Sequence, residues 1–583
     1  MFGGAVAARG AGRWPRFGLL ALATTALTTP AFSQSPPPPS PTPSGAVPGT
    51  TASELDPAAR VSRPPPRRAG GAFAPDPPGP CPLETSDVEV TLNSVAFRGS
   101  TSVGEGELRA AYAEFLGTPQ KVSVICAIRD RASRIFFDNG VLARVEIPEQ
   151  RISGGALVLE VIEAHVVNVR VRGDVGPVQE AIERYAEKLR GMKPFDMDKA
   201  QRYLLLASDV PGVRVRAAVR PSTSAERGAV DIDLSVTREG PNAFANVSNS
   251  GSKTAGRWGG LVRGEFSGYT AYAESTSITA FRTLEANEQW LVQIAESARF
   301  GSEGLVGRAA FTYGESRPGG QIKALDLFSR SIVGNVEGAY PIVRSRNRNL
   351  NVASGLDFVD QRTRDPTGIL NTSDDLRIAY VRFDGDYRTE LGGRPALFSG
   401  GVGVRKGLSF LGASDAGDPG LTRMGAKPDA WVVRGSGGMD IAFTDRLTGS
   451  VRGQAQYASN RLLPYEQFAL GGLTVGRGYD PAAIVGDKGI SGAFEVRYGP
   501  IQLHPRAQAA PYVFFDTGYL ANNNVMPGVL KDRTLSSVGA GVVFRLFNRA
   551  NLEVTYAHPL DATRPGEPRR GDRVLVQLTA SLL

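Results

Sequence analysis

The sequence predicts an all-β transmembrane barrel of about 16 antiparallel strands, preceded by two small α+β domains of the order β-α-α-β-β. Three observations lead to this prediction. The chain opens on an export signal, and no later segment contains 18 or more consecutive apolar residues. From residue 239 onward, strand-length segments alternate apolar and polar residues. An exported chain without a spanning helix is either soluble or a barrel, and this alternating region favours the barrel.

The predicted signal peptide occupies residues 1–33. Basic residues precede an apolar stretch from Phe17 to Leu27, which is too short to span a bilayer as a stable helix. Small residues at Ala31 and Ser33 then predict cleavage after Ser33. The alternative is a short buried helix, which leaves the basic flank and the small-residue end unexplained.

Residues 34–87 are rich in proline, with four consecutive prolines at positions 36–39. Such a stretch cannot bury a core and favours extended polyproline geometry, so we expect a linker here. One part of it, from Ala52 to Arg60, is a candidate for a helix that plugs the barrel, although Pro57 interrupts it.

The first predicted domain spans residues 88–163. A strand over 88–98 comes first, and an apolar stripe at i, i+3, i+4 and i+7 predicts an amphipathic helix that ends at Gly117. A second helix follows from a predicted N-cap at Ser123 to Gly140, with strands over 142–147 and 156–161. The stripe of the first helix consists of Leu108, Ala111, Tyr112 and Phe115.

The second predicted domain, residues 164–238, repeats this order. Val167, Val169 and Val171 alternate on a strand that ends at Gly173. Two helices and two strands follow, over 178–189, 198–208, 213–219 and 230–236. Repetition of one unit at a spacing of about 75 residues indicates tandem small modules.

In the region 239–583 the helical stripes disappear. Val381 and Phe383 alternate with charged residues, and the same pattern recurs around Phe494 and Tyr556. Alternation fits both a soluble sandwich and a membrane barrel, but the length of the region favours the barrel. About 22 residues for each of 16 strands leaves room for spanning strands of 9 to 11 residues with turns and loops, whereas a soluble domain this long would usually divide. The last strand, from Arg573 to Leu582, is expected to close on the first.

Composition argues against several other functions. The net charge is +8, and no basic patch interleaved with aromatic residues supports nucleic-acid binding. With two cysteines and three histidines, no metal-ligand spacing is evident. We find no nucleotide-binding loop, zinc-protease motif or serine-hydrolase elbow, so no enzyme activity and no cofactor are expected.

Several stretches resemble the two-partner secretion transporters, the haemolysin secretion/activation proteins of the ShlB and FhaC type. The first module is similar to their ShlB-type POTRA domain at 95–101, 108–117 and 139–163, and the second is similar at 169–173. In the barrel region, GGLTVGRGYD at 471–480 resembles the V-R-G-Y/F loop of this superfamily, and FFDTG at 514–518 resembles its F-x-D-x-G strand. This sequence departs from the loop pattern by carrying Gly476 between Val475 and Arg477.

The resemblance implies that the arginine loop folds back inside the barrel and docks on the inner wall. The expected loop residues are Val475, Arg477, Gly478, Tyr479 and Asp480, and the expected docking residues are Phe514, Asp516 and Gly518. Arg477 should then meet Asp516, because a partly buried guanidinium requires a carboxylate. Gly478 is expected to permit a turn, Tyr479 to pack on the wall and Gly518 to allow close approach of the loop.

The resemblance also implies a cellular location and a partner protein. The barrel would lie in outer-membrane lipid, with POTRA domains in the periplasm that capture an exported client through exposed strand edges. The client would be a large β-helical adhesin, a haemolysin or a similar protein, and the barrel assembly machinery would insert the chain. Cys81 and Cys126 would both lie in an oxidising compartment, where a disulfide between them is expected. An insertase of other barrels and a passive porin remain as alternatives.

Overall fold

The computed structural model describes residues 50–61, 80–285, 288–369, 371–525, 530–564 and 566–583. The predicted signal peptide, residues 1–33, lies outside them. The first described element is the helix α1 (Ala52–Leu55), which a 3-10 turn follows at Pro57–Arg60. Within the described ranges, no helix has the length and apolar composition needed to cross a membrane.

The first POTRA domain is a three-stranded sheet covered by helices, in the predicted order. Its elements are β1 (Glu89–Val90), β2 (Ser94–Arg98), α2 (Glu105–Leu108), β3 (Gln120–Lys121), α3 (Val124–Asp138), β4 (Ala143–Glu146) and β5 (Ala156–Glu163). Strand β5 lies in the centre, parallel to β2 and antiparallel to β4. Ile125 and Ile128 of α3 share one buried core with Leu157 and Leu159 of β5.

The predicted continuous helix over Leu108, Ala111, Tyr112 and Phe115 is wrong. Helix α2 ends at Leu108, and two separate 3-10 turns follow it. The chain then leaves the helical path, because the N–H of Gly117 donates to the carbonyl of Leu92 at 2.8 Å. Three of the four stripe residues are nevertheless buried, so the apolar spacing correctly marks a buried face formed by successive short turns.

The second POTRA domain repeats the architecture with strand order β6-β8-β7. Its elements are β6 (His165–Gly173), α4 (Gln179–Glu187), α5 (Met197–Ser208), β7 (Val213–Pro221) and β8 (Ala229–Arg238). The predicted alternation in β6 is wrong at Val167, which is exposed while Val166 and Val169 are buried. The register with β8 shifts between Val166 and Asn168, and such a bulge moves the intervening side chain off the buried face.

The barrel is closed and has 16 antiparallel strands when β22 and β23, which Gly499 and Pro500 separate, are counted as one. Strands β20 and β21 form a separate two-stranded hairpin and are not part of the barrel wall. Closure occurs where β27 pairs with β9, Gln577 opposite Ser248. The strands are β9 (Asn242–Ser248), β10 (Gly259–Ser267), β11 (Ser275–Thr283), β12 (Gln289–Phe300), β13 (Leu305–Ser316), β14 (Phe328–Arg344), β15 (Arg348–Arg364), β16 (Asn371–Leu391), β17 (Arg394–Gly407), β18 (Trp431–Ala442), β19 (Leu447–Ala458), β20 (Phe468–Leu470), β21 (Ile484–Gly486), β22 (Lys488–Tyr498), β23 (Ile501–His504), β24 (Ala507–Ala521), β25 (Asp532–Leu546), β26 (Ala550–Pro559) and β27 (Arg573–Ser581).

The alternation along the barrel strands separates a lipid face from a polar lumen. On β16, Val381 and Phe383 point outward, with 44% and 42% of their surface exposed. Arg382, between them, points inward and donates to Glu337 of β14 at 2.8 Å. An apolar exterior around a charged interior is the arrangement of a membrane barrel and the reverse of a soluble sandwich.

The second POTRA domain is docked on three tight turns of the barrel, at residues 268–274, 301–304 and 345–347. Asp209, at the end of α5, accepts two hydrogen bonds of 2.7 Å from Arg344 of β14. Arg202 of α5 donates to the carbonyl of Pro341 at 2.9 Å. These turns therefore lie at the end of the barrel that the resemblance places in the periplasm, and the opposite strand ends are expected to be extracellular.

Candidate functional site

The long connection between β19 and β22, residues 459–487, folds back into the barrel lumen, and we call it the inner loop. Its β20–β21 hairpin packs on the inner wall in an apolar cluster with Leu520 of β24 and Leu535 of β25. Phe468 and Leu470 of β20 and Ile484 of β21 supply the loop side of that cluster. Apolar contacts thus bring the loop to the wall, and polar contacts at its tip fix its position.

Arg477, at the tip of the inner loop, meets Asp516 of β24 in a buried ion pair. Its Nε donates to Oδ2 at 3.0 Å and its Nη2 to Oδ1 at 2.8 Å, so the contact is bidentate. The backbone N–H groups of Gly476 and Arg477 donate to the same carboxylate, at 3.1 and 3.0 Å. Asp516 has no exposed surface and Arg477 is 7% exposed. Four donors from one loop tip therefore converge on a single desolvated carboxylate.

Two further wall residues complete the surroundings of Arg477. Its Nη1 donates to Glu495 of β22 at 2.9 Å, and Arg497 donates to the other oxygen of Glu495 at 2.7 Å. The guanidinium carbon also lies 3.5 Å from the ring centroid of Phe514, a stacking distance. The guanidinium is therefore held by carboxylates at its edge and by an aromatic ring on its face.

The glycines of the loop motif allow a turn and a close contact. Gly478 lies in a turn, in which the N–H of Tyr479 donates to the carbonyl of Gly476 at 2.9 Å, whereas the positive φ, +81°, is at Gly476. Close contact, rather than backbone conformation, excludes a side chain at Gly478, since a Cβ there would lie 2.9 Å from the Cβ of Ser537 and 3.0 Å from the backbone of Pro559. On the wall, a Cβ at Gly518 would lie 2.6 Å from the Leu470 side chain. The extra residue Gly476 thus forms the turn that points two N–H groups at Asp516.

The other motif residues connect the loop to the strands around the closure. The Tyr479 hydroxyl is buried, lies 2.9 Å from the carbonyl of Ser536 and accepts from the N–H of Asp561 at 2.8 Å. Asp480 lies within ion-pair distance of three arginines, at positions 257, 570 and 573. Val475 is buried in the apolar cluster of the loop. All five predicted loop residues and all three docking residues therefore meet in one place.

A second ion cluster holds the stem of the inner loop, and the sequence analysis missed it. Glu466 accepts from Arg405 of β17 at 3.0 and 2.9 Å, and Arg405 also donates to Asp357 of β15 at 2.7 Å. Arg434 of β18 donates to the carbonyl of Glu466 at 3.1 Å. A lone acid within the apolar stretch RLLPYEQF, together with arginines on inward strand positions, was the available signal.

A third cluster, also missed, ties the inner loop to its extracellular neighbours. Asp487 has no exposed surface and forms an ion pair with Arg423, from the connection between β17 and β18. It also accepts from the N–H of Asn523, in the connection between β24 and β25, at 2.8 Å. Three extracellular connections therefore share one buried carboxylate.

The N-terminal segment, residues 50–61, lies inside the barrel, and we call it the lumen segment. Leu55 is buried among Val359, Leu376 and Ile378 of the wall and Leu463 and Tyr465 of the inner loop. Gln361 donates to the carbonyl of Thr50 at 2.9 Å, and Gln577 donates to that of Arg60 at 3.0 Å. The lumen is thus occupied by two pieces of the chain that also touch each other.

The two cysteines meet at the first POTRA domain. Cys81 is joined to Cys126 of α3 by a disulfide with a Cα–Cα distance of 5.8 Å. It connects the end of the proline-rich stretch to the domain core, because Cys126 is itself buried there.

Comparison with known families assigns this arrangement. The family described as haemolysin secretion/activation protein ShlB/FhaC/HecB matches residues 228–544, more than half of the chain, and the ShlB-type POTRA domain matches residues 90–164. The chain belongs to the ShlB/FhaC/HecB family. It is therefore an outer-membrane transporter of the two-partner secretion type, with POTRA domains in the periplasm and an exported protein as its partner.

Individual relatives agree with this assignment. The chain is 22% identical over 487 residues to the outer membrane transporter CdiB of Dickeya dadantii (strain 3937), covering 80% of each protein. Among solved structures, CdiB from Escherichia coli superimposes with a TM-score of 0.72 at 17% identity, covering 88% of this chain and 94% of that one. CdiB from Acinetobacter baumannii gives a TM-score of 0.59 at 15% identity, covering 85% and 90%. These structures share the fold, and the family match gives the transporter class.

Proposed function

We propose that this transporter receives an unfolded exoprotein on its POTRA domains and passes it through the barrel lumen, from which the lumen segment must first withdraw. The observation that carries the proposal is the occupied lumen. Leu55 and its neighbours bridge the wall and the inner loop, so they lie in the path of a polypeptide that crosses the lumen. The residues before position 34 are proposed to direct export and to be removed.

The fastening of the lumen segment supports its withdrawal. Beyond Leu55, its contacts include partly buried apolar contacts of Ala52 and Val61, single hydrogen bonds to the wall and the stacking of Arg60 on Phe281 at 3.9 Å. Net hydrogen bonds of this kind contribute about 1 kcal/mol each. Contacts of this number and strength hold a segment at rest and can be exchanged for contacts with a passing client.

The second POTRA domain supports client capture through its free edge. Strand β7 pairs with β8 along one side, and no described strand pairs with its other side. Its nine residues include exposed Arg214, Arg216 and Arg220. A free edge offers backbone hydrogen bonds that ignore client sequence, and the arginines favour acidic stretches. The client is proposed to be a large β-helical adhesin or haemolysin, and the barrel assembly machinery is proposed to insert the transporter.

A reversible tether tests the withdrawal. Cysteines replacing Leu55 and Leu376, which belong to one buried cluster, should form a disulfide that locks the lumen segment in place. We expect export of a co-expressed client to stop on oxidation and to recover on mild reduction. Leu55→Cys and Leu376→Cys alone serve as controls, and the wild type, treated in parallel, reports the effect of reducing Cys81–Cys126. Full export by the oxidised, cross-linked protein would refute transit through the vacated lumen.

Removal of residues 88–238 tests capture. The truncated chain should still insert in the outer membrane and show heat-modifiable mobility, because the wall closes through strand pairing that needs no POTRA residue. Export should fall to background. Undiminished export by an inserted, truncated barrel would exclude a receiving role for the POTRA pair.

A further inference from the structure

An outward-facing group of arginines lies at the extracellular ends of β11, β13, β14 and β15. We call it the arginine band, and it consists of Arg282, Arg317, Arg330, Arg362 and Arg364. The orientation follows from neighbours that point the other way. Ser329 and Thr363 are buried and share an inward hydrogen bond of 2.8 Å, so Arg330, Arg362 and Arg364 face outward.

The band places like charges side by side. Arg330 lies directly opposite Arg362 in the β14–β15 register, and Phe328 lies opposite Arg364. Arg317 and Arg364 both approach the Phe328 ring, at 5.3 and 5.2 Å from its centroid. Like charges directly opposite each other on neighbouring strands destabilise the pairing. An anion bound between them would remove that cost.

Nearby carboxylates offset the charge of Arg317, Arg330, Arg362 and Arg364 only in part. Glu315 lies opposite Arg330, but it accepts from the Trp290 indole at 3.2 Å and from the Tyr313 hydroxyl at 2.7 Å. Asp360 and Asp375 face outward one row deeper, where Asp360 pairs with Arg377 at 2.7 Å. Across the described part of the chain, no carboxylate lies within the 4.0 Å ion-pair distance of Arg317, Arg330, Arg362 or Arg364.

The height of the band on the barrel indicates what it meets. Trp290 lies opposite Arg282 and Glu315 in the registers of β11–β12 and β12–β13, and Glu315 lies opposite Arg330 in that of β13–β14. Further toward the barrel centre, Phe311 and Val336 are 51% and 47% exposed on the lipid face. Outward tryptophan and tyrosine mark the boundary between the hydrocarbon core and the headgroups. The arginine band therefore lies at the headgroup level of the outer leaflet.

We propose that the arginine band binds the phosphate groups of the phosphorylated glycolipid of the outer leaflet, lipopolysaccharide. A guanidinium donates two parallel hydrogen bonds to a phosphate, and Arg317, Arg330, Arg362 and Arg364 together present enough positive charge for a multiply charged headgroup. The acyl chains would lie on the exposed apolar residues beneath. The site lies on the lipid face, apart from the lumen, and does not depend on the transport path proposed above.

Binding of defined lipids to the full-length purified protein tests the site. Bisphosphorylated lipid A should bind the wild type, and lipid A stripped of both phosphates should bind at least about tenfold more weakly, since hydrogen bonds between charged groups are the strong ones. The double variant Arg330→Gln/Arg362→Gln should lose a similar factor for the phosphorylated lipid. Arg394→Gln/Arg446→Gln, two exposed arginines at the periplasmic ends of strands, should bind as the wild type does.

The controls separate the alternatives. Heat-modifiable mobility should be unchanged in both double variants and the thermal unfolding temperature should not fall, because outward arginines contribute no core packing and Arg330→Gln/Arg362→Gln removes a like-charge pair. Inorganic phosphate at millimolar concentration should compete poorly, and full displacement by it would mean a site for free anions and overturn the proposal. Equal affinity for the two forms of lipid A, or wild-type affinity in the folded Arg330→Gln/Arg362→Gln variant, would also overturn it.

Discussion

The inner loop and the lumen segment occupy the same barrel, yet they are fastened by different means. The inner loop is held by buried ion pairs at its tip, stem and base, centred on Asp516, Glu466 and Asp487. The lumen segment forms no such pair with the wall among the described residues, and its contacts are one buried leucine, two partly buried apolar residues, a stacked arginine and isolated hydrogen bonds. Removing one partner of a buried ion pair leaves a desolvated charge without a counter-ion. Withdrawing the lumen segment together with its own side chains leaves few buried polar groups without a partner. The comparison indicates that the inner loop stays in place during transport and that the lumen segment can leave the lumen.

The largest expected effect is at the loop tip. Arg477→Ala should abolish or sharply reduce export while the barrel stays folded. Loss of one partner of a buried pair costs about 3 to 5 kcal/mol, which is comparable to the docking energy of one loop and small against a closed strand ladder. Secreted client and heat-modifiable mobility, measured on the same cultures, report the two outcomes separately.

Companion variants identify the pair. Asp516→Ala should reproduce the defect, the double variant should be little worse than either single one, and Arg477→Lys should rescue only in part because an ammonium makes no bidentate contact. Arg452→Ala is the matched control, since it breaks an ion pair within the wall in which one guanidinium nitrogen of Arg452 donates to both oxygens of Asp440. If the two single defects add, Arg477 and Asp516 do not act as a pair. If Arg452→Ala reduces export equally, docking of the inner loop is not the cause of the defect.

A second variant addresses the lumen segment. Leu55→Ala should open the barrel, because it removes the main apolar anchor, and burial of a leucine in a packed site is worth about 2 to 5 kcal/mol. Single-channel conductance in planar bilayers should rise several-fold, with thermal unfolding of the barrel unchanged. Ser53→Ala, on the exposed side of α1, should conduct as the wild type does. Unchanged conductance in Leu55→Ala would mean that the segment is fastened as firmly as the loop.

A smaller effect is expected at the loop stem. Glu466→Gln should lower export about twofold to threefold, since Arg405 keeps its second carboxylate, Asp357, and is not left unpaired. Client secretion and maleimide labelling of a cysteine introduced at Gln467 should report loosening of the stem. Asp440→Asn, within the wall, provides the control. A loss as complete as that of Arg477→Ala would place the decisive contact at the stem.

The smallest effect on the lumen should come from the disulfide. The double variant Cys81→Ser/Cys126→Ser should destabilise the first POTRA domain by about 2 to 5 kcal/mol, the usual value for a native disulfide. Limited proteolysis of that domain measures this loss. Conductance should not change, because neither cysteine belongs to the clusters that hold the lumen segment. Increased conductance would mean that the disulfide itself holds the lumen segment in place.

Local patterns in the sequence were enough to predict the architecture. Alternation at period two, as around Val381 and Phe383, fixes which face of each strand meets lipid, and the repeated β-α-α-β-β order defines the two POTRA domains. The same reasoning failed at Val167 and over residues 108–115. A bulge in one case and a long-range hydrogen bond in the other override local periodicity, and neither leaves a mark in the apolar spacing.

The sequence by itself determined the fold class, the family resemblance and the pairing of Arg477 with Asp516, because motifs and short-range periodicity carry that information. Only the tertiary structure decided what else holds the lumen. Glu466 lies 61 positions from Arg405, and Asp487 lies 64 positions from Arg423. Closure of the barrel brings these charges together, and the burial that makes each pair strong exists only once the wall, the inner loop and the lumen segment have excluded water.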